Sequence, residues 1–110
     1  MKQSEIWRAY LDPIVGSEQG GLRPVVIISG NILNVHLNVL IVCPLTSKVK
    51  NYEGHVVLEP NSENGLSVPS EILNFHVRSI SKERLVKKIG NISKEELEQT
   101  KKGLNEILTY

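Results

Sequence analysis

Within residues 12–29, D-P-I-V-G-S-E-Q-G-G-L-R-P-V-V-I-I-S, the chain passes from a segment that cannot be a helix to one built for a covered strand. Pro13 has no amide hydrogen to donate, and Gly16, Gly20 and Gly21 favour irregular backbone, so the first half reads as a loop. Val25 to Ile28 are all β-branched. Such a run suits a pleated strand, and its lack of polar alternation predicts apolar cover on both faces. Arg23 stands at the seam, where a rigid scaffold can hold a charged group beside a loop that admits a ligand. On composition alone the plainer reading, an ordinary arginine at the rim of a sheet, is the stronger one.

Other segments follow the same logic. Ser4 to Leu11 alternates as a strand, with Ile6, Arg8 and Tyr10 on one face and Trp7, Ala9 and Leu11 on the other. Asn38 to Cys43 reads as a second buried strand, stopped by Pro44, with Leu45 to Lys48 leaving as a polar turn. Gly30 to Leu37 carries Gly30, Asn31 and Asn34 and reads as a connection of undefined shape. His55 to Glu59, Val68 to Ser79 and Val86 to Ile89 supply further strands, and Ser81 to Leu85 a single helical turn.

The last element is a helix. Ser93 with Glu96 forms a capping box, and Leu97, Thr100 or Lys101, Leu104, and Ile107 with Leu108 recur at helical spacing. Gly103 weakens that helix by roughly 1 kcal/mol against alanine, which packing has to offset. Short strands followed by one helix predict a mainly β protein, a small barrel closed by a C-terminal helix, in a single domain over residues 1–110.

Net charge is +1, so no overall basic field announces a nucleic-acid protein. A local excess lies in Arg78, Lys82, Arg84, Lys87 and Lys88 against Glu83, which a solvated face explains as well as a polyanion does. The single cysteine, Cys43, excludes an internal disulfide framework and a cysteine-based zinc cluster, and its apolar neighbours predict a buried inert thiol. Glu5 and Arg8 interrupt the N-terminus before any apolar stretch, and Val39 to Cys43 is too short to span a bilayer. These features predict a soluble, cytoplasmic protein with no membrane partner. His36, His55 and His76 lack a second histidine or a carboxylate at ligand spacing, so no metal site is expected.

Several pieces recur in one order: E-I-W from Glu5, D-P from Asp12, G-S-E-Q-G-G-L-R-P-V-V-I-I-S, P-L-T-S-K from Pro44, H-V from His55, V-R-S-I-S-K-E-R-L from Val77, and I-G-N-I-S before the helix. In this order the chain closely resembles the MazF/PemK family of toxin endoribonucleases from bacterial toxin–antitoxin systems. The resemblance covers nearly the whole chain, and the G-S-E-Q-G-G-x-R-P-V segment is its most specific part. It implies an SH3-like barrel with an appended helix, assembled as a homodimer. It also implies a cofactor-free and metal-independent ribonuclease that cuts single-stranded RNA at a short sequence and is neutralised by an antitoxin peptide. DNA would be contacted only through the antitoxin complex. The family's catalytic arginine falls on Arg23 and its threonine on Thr46. Glu18 and Gln19 fall in the loop bordering the RNA groove, and Ser47, Lys48, Phe75, His76 and Arg78 complete the implied RNA contacts.

RNA brings its own nucleophile, so attack of the 2′-OH on the adjacent phosphorus needs chiefly alignment and charge stabilisation. Arg23 offers a planar fork matched to phosphate, and Thr46 a hydroxyl beside it. An arginine stays protonated, so Arg23 suits charge stabilisation better than base catalysis, and the base is left open among Glu18, a histidine and the substrate. One departure is F-H-V-R at residues 75–78, where the family often has E-Q-I-R. Phe75 and His76 there either repack a strand or change the RNA sequence read. Other readings are a protein-targeting poison of the same barrel, as in the CcdB family, and an inactive RNA- or peptide-binding module. The presence of both Arg23 and Thr46 favours the nuclease.

Overall fold

The computed structural model describes residues 1–11 and 21–109. The loop expected at residues 12–20, with Glu18 and Gln19, lies outside the described residues. The elements are β1 (Glu5–Tyr10), β2 (Leu22–Ile27), α1 (Asn31–His36), β3 (Val39–Thr46), β4 (Val57–Leu58), β5 (Ser70–Ile72), β6 (Arg78–Ser81), β7 (Leu85–Asn91) and α2 (Lys94–Thr109). The strands form one antiparallel sheet in the order β4-β5-β3-β2-β1-β7, with β6 also on β3. β3 carries β2 on one edge and two partners on the other: β6 along Val39–Val42 and β5 at Leu45 and Thr46. Serving two partners bends the sheet into a curled half-barrel, the mainly β architecture expected.

The β-branched run of β2 is covered on both sides. Val26 joins Ile6, Cys43, Leu45, Ile92 and Leu97 in one cluster, while Val25 and Ile27 join Ala9, Leu11, Leu40, Val42 and Ile80 in another. Full burial of each such side chain contributes about 1.5–3 kcal/mol, so these two layers hold the strand that carries Arg23. Cys43 lies in the first cluster as a free thiol, and burial pushes its pKa up to about 12, which keeps it unreactive. At the start of β1, burial pushes the Glu5 carboxyl up. Bonds from the Lys2 amide, the Trp7 indole and Lys88 outweigh that and hold it at about 2.

Three local expectations are corrected. β3 does not stop at Pro44 but runs on through Leu45 and Thr46. Pro44 stands where β3 leaves β6 for β5, and its carbonyl accepts from the Leu73 amide at 2.9 Å, so its missing donor falls opposite a turn. The segment after Ser29 is the short helix α1. Asn34 is buried there, its amide donating to the Ser29 carbonyl at 2.8 Å, and this clasp folds the Asn-rich segment into a turn of helix. His55 precedes β4 instead of opening a strand.

The capping box of α2 is formed: the Ser93 amide donates to Glu96 at 2.7 Å and the Glu96 amide to Ser93 Oγ at 3.1 Å. The buried face of α2 is Leu97, Thr100 and Gly103; Lys101 is exposed and Leu108 points to solvent. Among the described residues no helix is long and apolar enough to cross a membrane.

Candidate active site

The β2–β3 ladder pairs Ile27 with Val42, Val26 with Cys43 and Val25 with Pro44. Beyond Val25 and Pro44 the ladder ends, and Arg23, near the start of β2, and Thr46, the last residue of β3, both lie past that end. Antiparallel strands bring the start of one to the end of the other, so the two stand at the same end of the β2–β3 pair. On its other edge β2 pairs Arg23 with Ala9 of β1.

Two cavities flank this end. One, of about 430 Å³, is lined by Arg8, Arg23, Leu45, Ser47, Leu66 and Ser70 among others. The other, of about 200 Å³, is lined by Thr46, Lys48, Lys50, Tyr52, Leu73, Phe75 and His76. Residues 45–48 alternate between them, as successive positions of an extended chain do. Arg23 and Ser47 therefore border the larger cavity, while Thr46, Lys48, Phe75 and His76 border the smaller. Sequence reasoning grouped these residues without foreseeing the division.

Thr46 is buried at the last position of β3, and its hydroxyl oxygen accepts from the Lys48 amide at 3.1 Å. An accepting hydroxyl keeps its own hydrogen, so Thr46 retains a donor for a phosphate oxygen. Across the β3–β5 ladder Thr46 faces Glu71, which has no accessible surface. Glu71 Oε1 accepts from the amides of Lys50 and Asn51 at 2.7 and 2.8 Å, and Oε2 from the Tyr52 amide at 3.1 Å. His55 Nδ1 lies 2.6 Å from Oε2. Burial pushes the Glu71 carboxyl up, but these bonds win and hold it below the ordinary carboxylate value. The His55 ring stacks at 4.8 Å from Phe75, Tyr52 meets both edge-on at 5.5 Å, and His76 lies 5.1 Å from Phe75. Glu71 and Tyr52 are site residues that sequence reasoning missed. The only signal was an acid set in the apolar stretch S-E-I-L at residues 70–73.

Arg78 borders neither cavity. Its guanidinium donates to the Leu11 carbonyl at 3.3 Å and that of Arg84 to the Tyr10 carbonyl at 3.1 Å. The Leu11 amide donates to the Gly21 carbonyl at 2.9 Å, closing the chain across the foot of the loop. Much of the basic excess is likewise engaged: Lys82 donates to the Asn34 carbonyl and Lys88 pairs with Glu5 at 3.1 Å. Among the described residues no group of three or more His, Cys, Asp or Glu side chains could hold a metal ion.

Residues 2–108 match the family model for the PemK-like, MazF-like toxin of type II toxin–antitoxin systems. The chain is 35% identical over 109 residues to endoribonuclease MazF9 of Mycobacterium tuberculosis, covering 94% of this chain and 92% of that protein. It is 32% identical over 105 residues to endoribonuclease EndoA of Bacillus subtilis, covering 94% and 90%. The fold superposes on the crystal structure of MazF from Deinococcus radiodurans with a TM-score of 0.86, 26% identity and coverage of 100% and 97%.

Proposed function

The chain belongs to the family of PemK-like, MazF-like toxins of type II toxin–antitoxin systems, and we propose that it is the toxin of such a pair, a metal-independent endoribonuclease that cuts single-stranded RNA at a short sequence. The observation that carries this reading is the placement of Arg23 and Thr46 at the same end of the β2–β3 pair, each beside a cavity. A fixed cation and a hydroxyl donor there flank cavities whose walls include Ser47, Lys48, Phe75 and His76. Lys48 and Lys50 suit the RNA backbone, and the exposed Phe75 ring suits an unstacked base. Glu18 and Gln19 would complete the wall from the loop.

In this mechanism the 2′-oxygen attacks the adjacent phosphorus and the P–O5′ bond breaks, leaving a 2′,3′-cyclic phosphate and a 5′-OH. Arg23 stabilises charge on the equatorial oxygens with two parallel N–H donors, and Thr46 adds its O–H. His55 is sealed against Glu71, its side chain 2% exposed, so the histidine that lines the cavity with Thr46 is His76. Arg78 supports the foot of the loop, and RNA contact through it would be secondary. Acting on messenger RNA, such a protein works in the cytoplasm and arrests growth by blocking translation. Purified protein incubated with RNA in EDTA is expected to yield fragments with cyclic-phosphate and 5′-OH ends. Intact RNA under those conditions would instead support the CcdB-like or inactive readings.

The toxin assembles as a homodimer. α1 and the start of β3 expose Ile32 at 78%, Val35 at 76%, and Leu33, Leu37, Val39 and Ile41, an apolar patch of the kind that a second subunit covers. This patch is the reason to put the interface at the segment after Ser29. Ile32→Glu combined with Val35→Glu is expected to halve the mass measured by sedimentation; an intact dimer would exclude the patch. The antitoxin's acidic segment fits the exposed lysines of β7. Lys87→Glu is expected to weaken inhibition by the antitoxin about tenfold, the worth of one reversed charge contact. Unchanged inhibition would move the docking surface elsewhere.

A further inference from the structure

The segment from Ser47 to Glu53 has no regular structure and every side chain in it is exposed, yet it supplies Lys48, Lys50 and Tyr52 to the cavity beside Thr46. Something other than a hydrophobic core has to hold it. What holds it is one carboxylate. Glu71 binds the consecutive amides of Lys50, Asn51 and Tyr52 and the ring of His55, which leaves both of its oxygens saturated. Asn51, at φ 55°, sits in the left-handed region that lets three successive amides converge on one anion. From this anchor the geometry passes outward: His55 packs on Phe75, and Tyr52 packs on both.

We propose that Glu71 is the positioning residue of the base-binding cavity. By fixing the backbone of residues 50–52 and the His55 ring, it sets the Tyr52–Phe75 wall against which one unstacked nucleobase lies, and so governs which RNA sequence is bound. The inference rests on the ribonuclease reading. Glu71 takes no part in proton transfer, because it is fully buried and all of its bonds point at the protein. Its position opposite Thr46 ties the wall to the catalytic strand end, so base recognition and phosphate contact share one frame.

The test is Glu71→Gln, which preserves volume but puts an NH2 group where Oε2 now accepts from the Tyr52 amide and faces His55. Cleavage rates are compared on short RNA oligonucleotides that differ by one base around the preferred site. KM on the preferred sequence is expected to rise about tenfold, the worth of one stacked base, while kcat changes far less and the preference between bases narrows. Glu71→Asp, which keeps the anion, is expected to restore part of the preference. Amide hydrogen exchange should quicken at residues 50–52 while β2 and β3 stay protected. A folded Glu71→Gln protein with the parent's KM and base preference overturns the proposal. If Glu71→Gln does not fold, Tyr52→Leu and Phe75→Leu, both at exposed positions, carry the same expectation, and parental base preference in both overturns it. A wild-type protein that cuts no RNA sinks the ribonuclease reading and this inference with it. A wild type that cuts beside indistinguishable variants sinks this inference alone.

Discussion

Arg23→Lys is expected to cut RNA at least about a hundredfold more slowly than the parent in kcat/KM, the usual cost of losing one oriented donor to developing charge. The substitution keeps the positive charge, so a role in simple attraction of RNA would leave the rate nearly intact. What lysine cannot reproduce is the planar fork that meets two phosphate oxygens at once. The scaffold makes that geometry matter. Arg23 is paired with Ala9 on β1, and the strand is anchored by Val25, Val26 and Ile27, all fully buried. A fork on such a frame is preorganised, whereas a lysine would spend freedom to find one oxygen. Because Arg23 sits outside both core clusters, the variant should remain folded, which thermal denaturation checks. Near-full activity would refute the bidentate role.

Gly103→Ala is expected to destabilise the protein by about 2 kcal/mol and lower its Tm by roughly 10 °C, although alanine is the better helix former by about 1 kcal/mol. Gly103 is buried on the inner face of α2, and a Cβ there would overlap the backbone carbonyl oxygen of Gly54 and the Asn74 amide nitrogen. Asn74 is itself fully buried and donates to the Gly54 carbonyl at 3.2 Å, while its Oδ1 has no partner among the described residues. Relieving the overlap means lifting α2 off the core or displacing Gly54 and Asn74, and a displaced Asn74 loses its one bond and leaves its amide wholly unpaired. Thermal denaturation followed by circular dichroism decides it: a Tm equal to or above the parent's would mean that the helix slides without loss. The close approach explains why this helix keeps a residue that weakens it in isolation.

Much of the architecture was legible because its signals are local. Four consecutive β-branched residues and a Ser-to-Glu capping box act within a few positions, and β2, α2 and the turn at Lys82–Arg84 follow from them and from the turn formers. The misreadings share one cause. Pro44 ends a strand that must donate on both edges, but β3 changes partner at that point and needs no donor there. Gly30, Asn31 and Asn34 are turn formers, yet Asn34 turns inward to Ser29 and closes a helix. Ile107 and Leu108 continue the helical spacing of α2, but they lie past its buried positions Leu97, Thr100 and Gly103, and Leu108 stays exposed.

The sequence by itself determined the family, the mainly β class with its capped terminal helix, and the candidate site residues Arg23 and Thr46, because each rests on order and spacing along the chain. Only the tertiary structure decided how those residues are deployed. It divided the site into two cavities by strand alternation, tied Arg78, Lys82, Arg84 and Lys88 to the protein itself, and set Glu71 under residues 50–52. Those are contacts between residues 16 to 83 positions apart, such as His55 with Glu71 and Lys88 with Glu5. A buried carboxylate is stable only where such distant donors converge on it, and no pattern along the chain records that convergence.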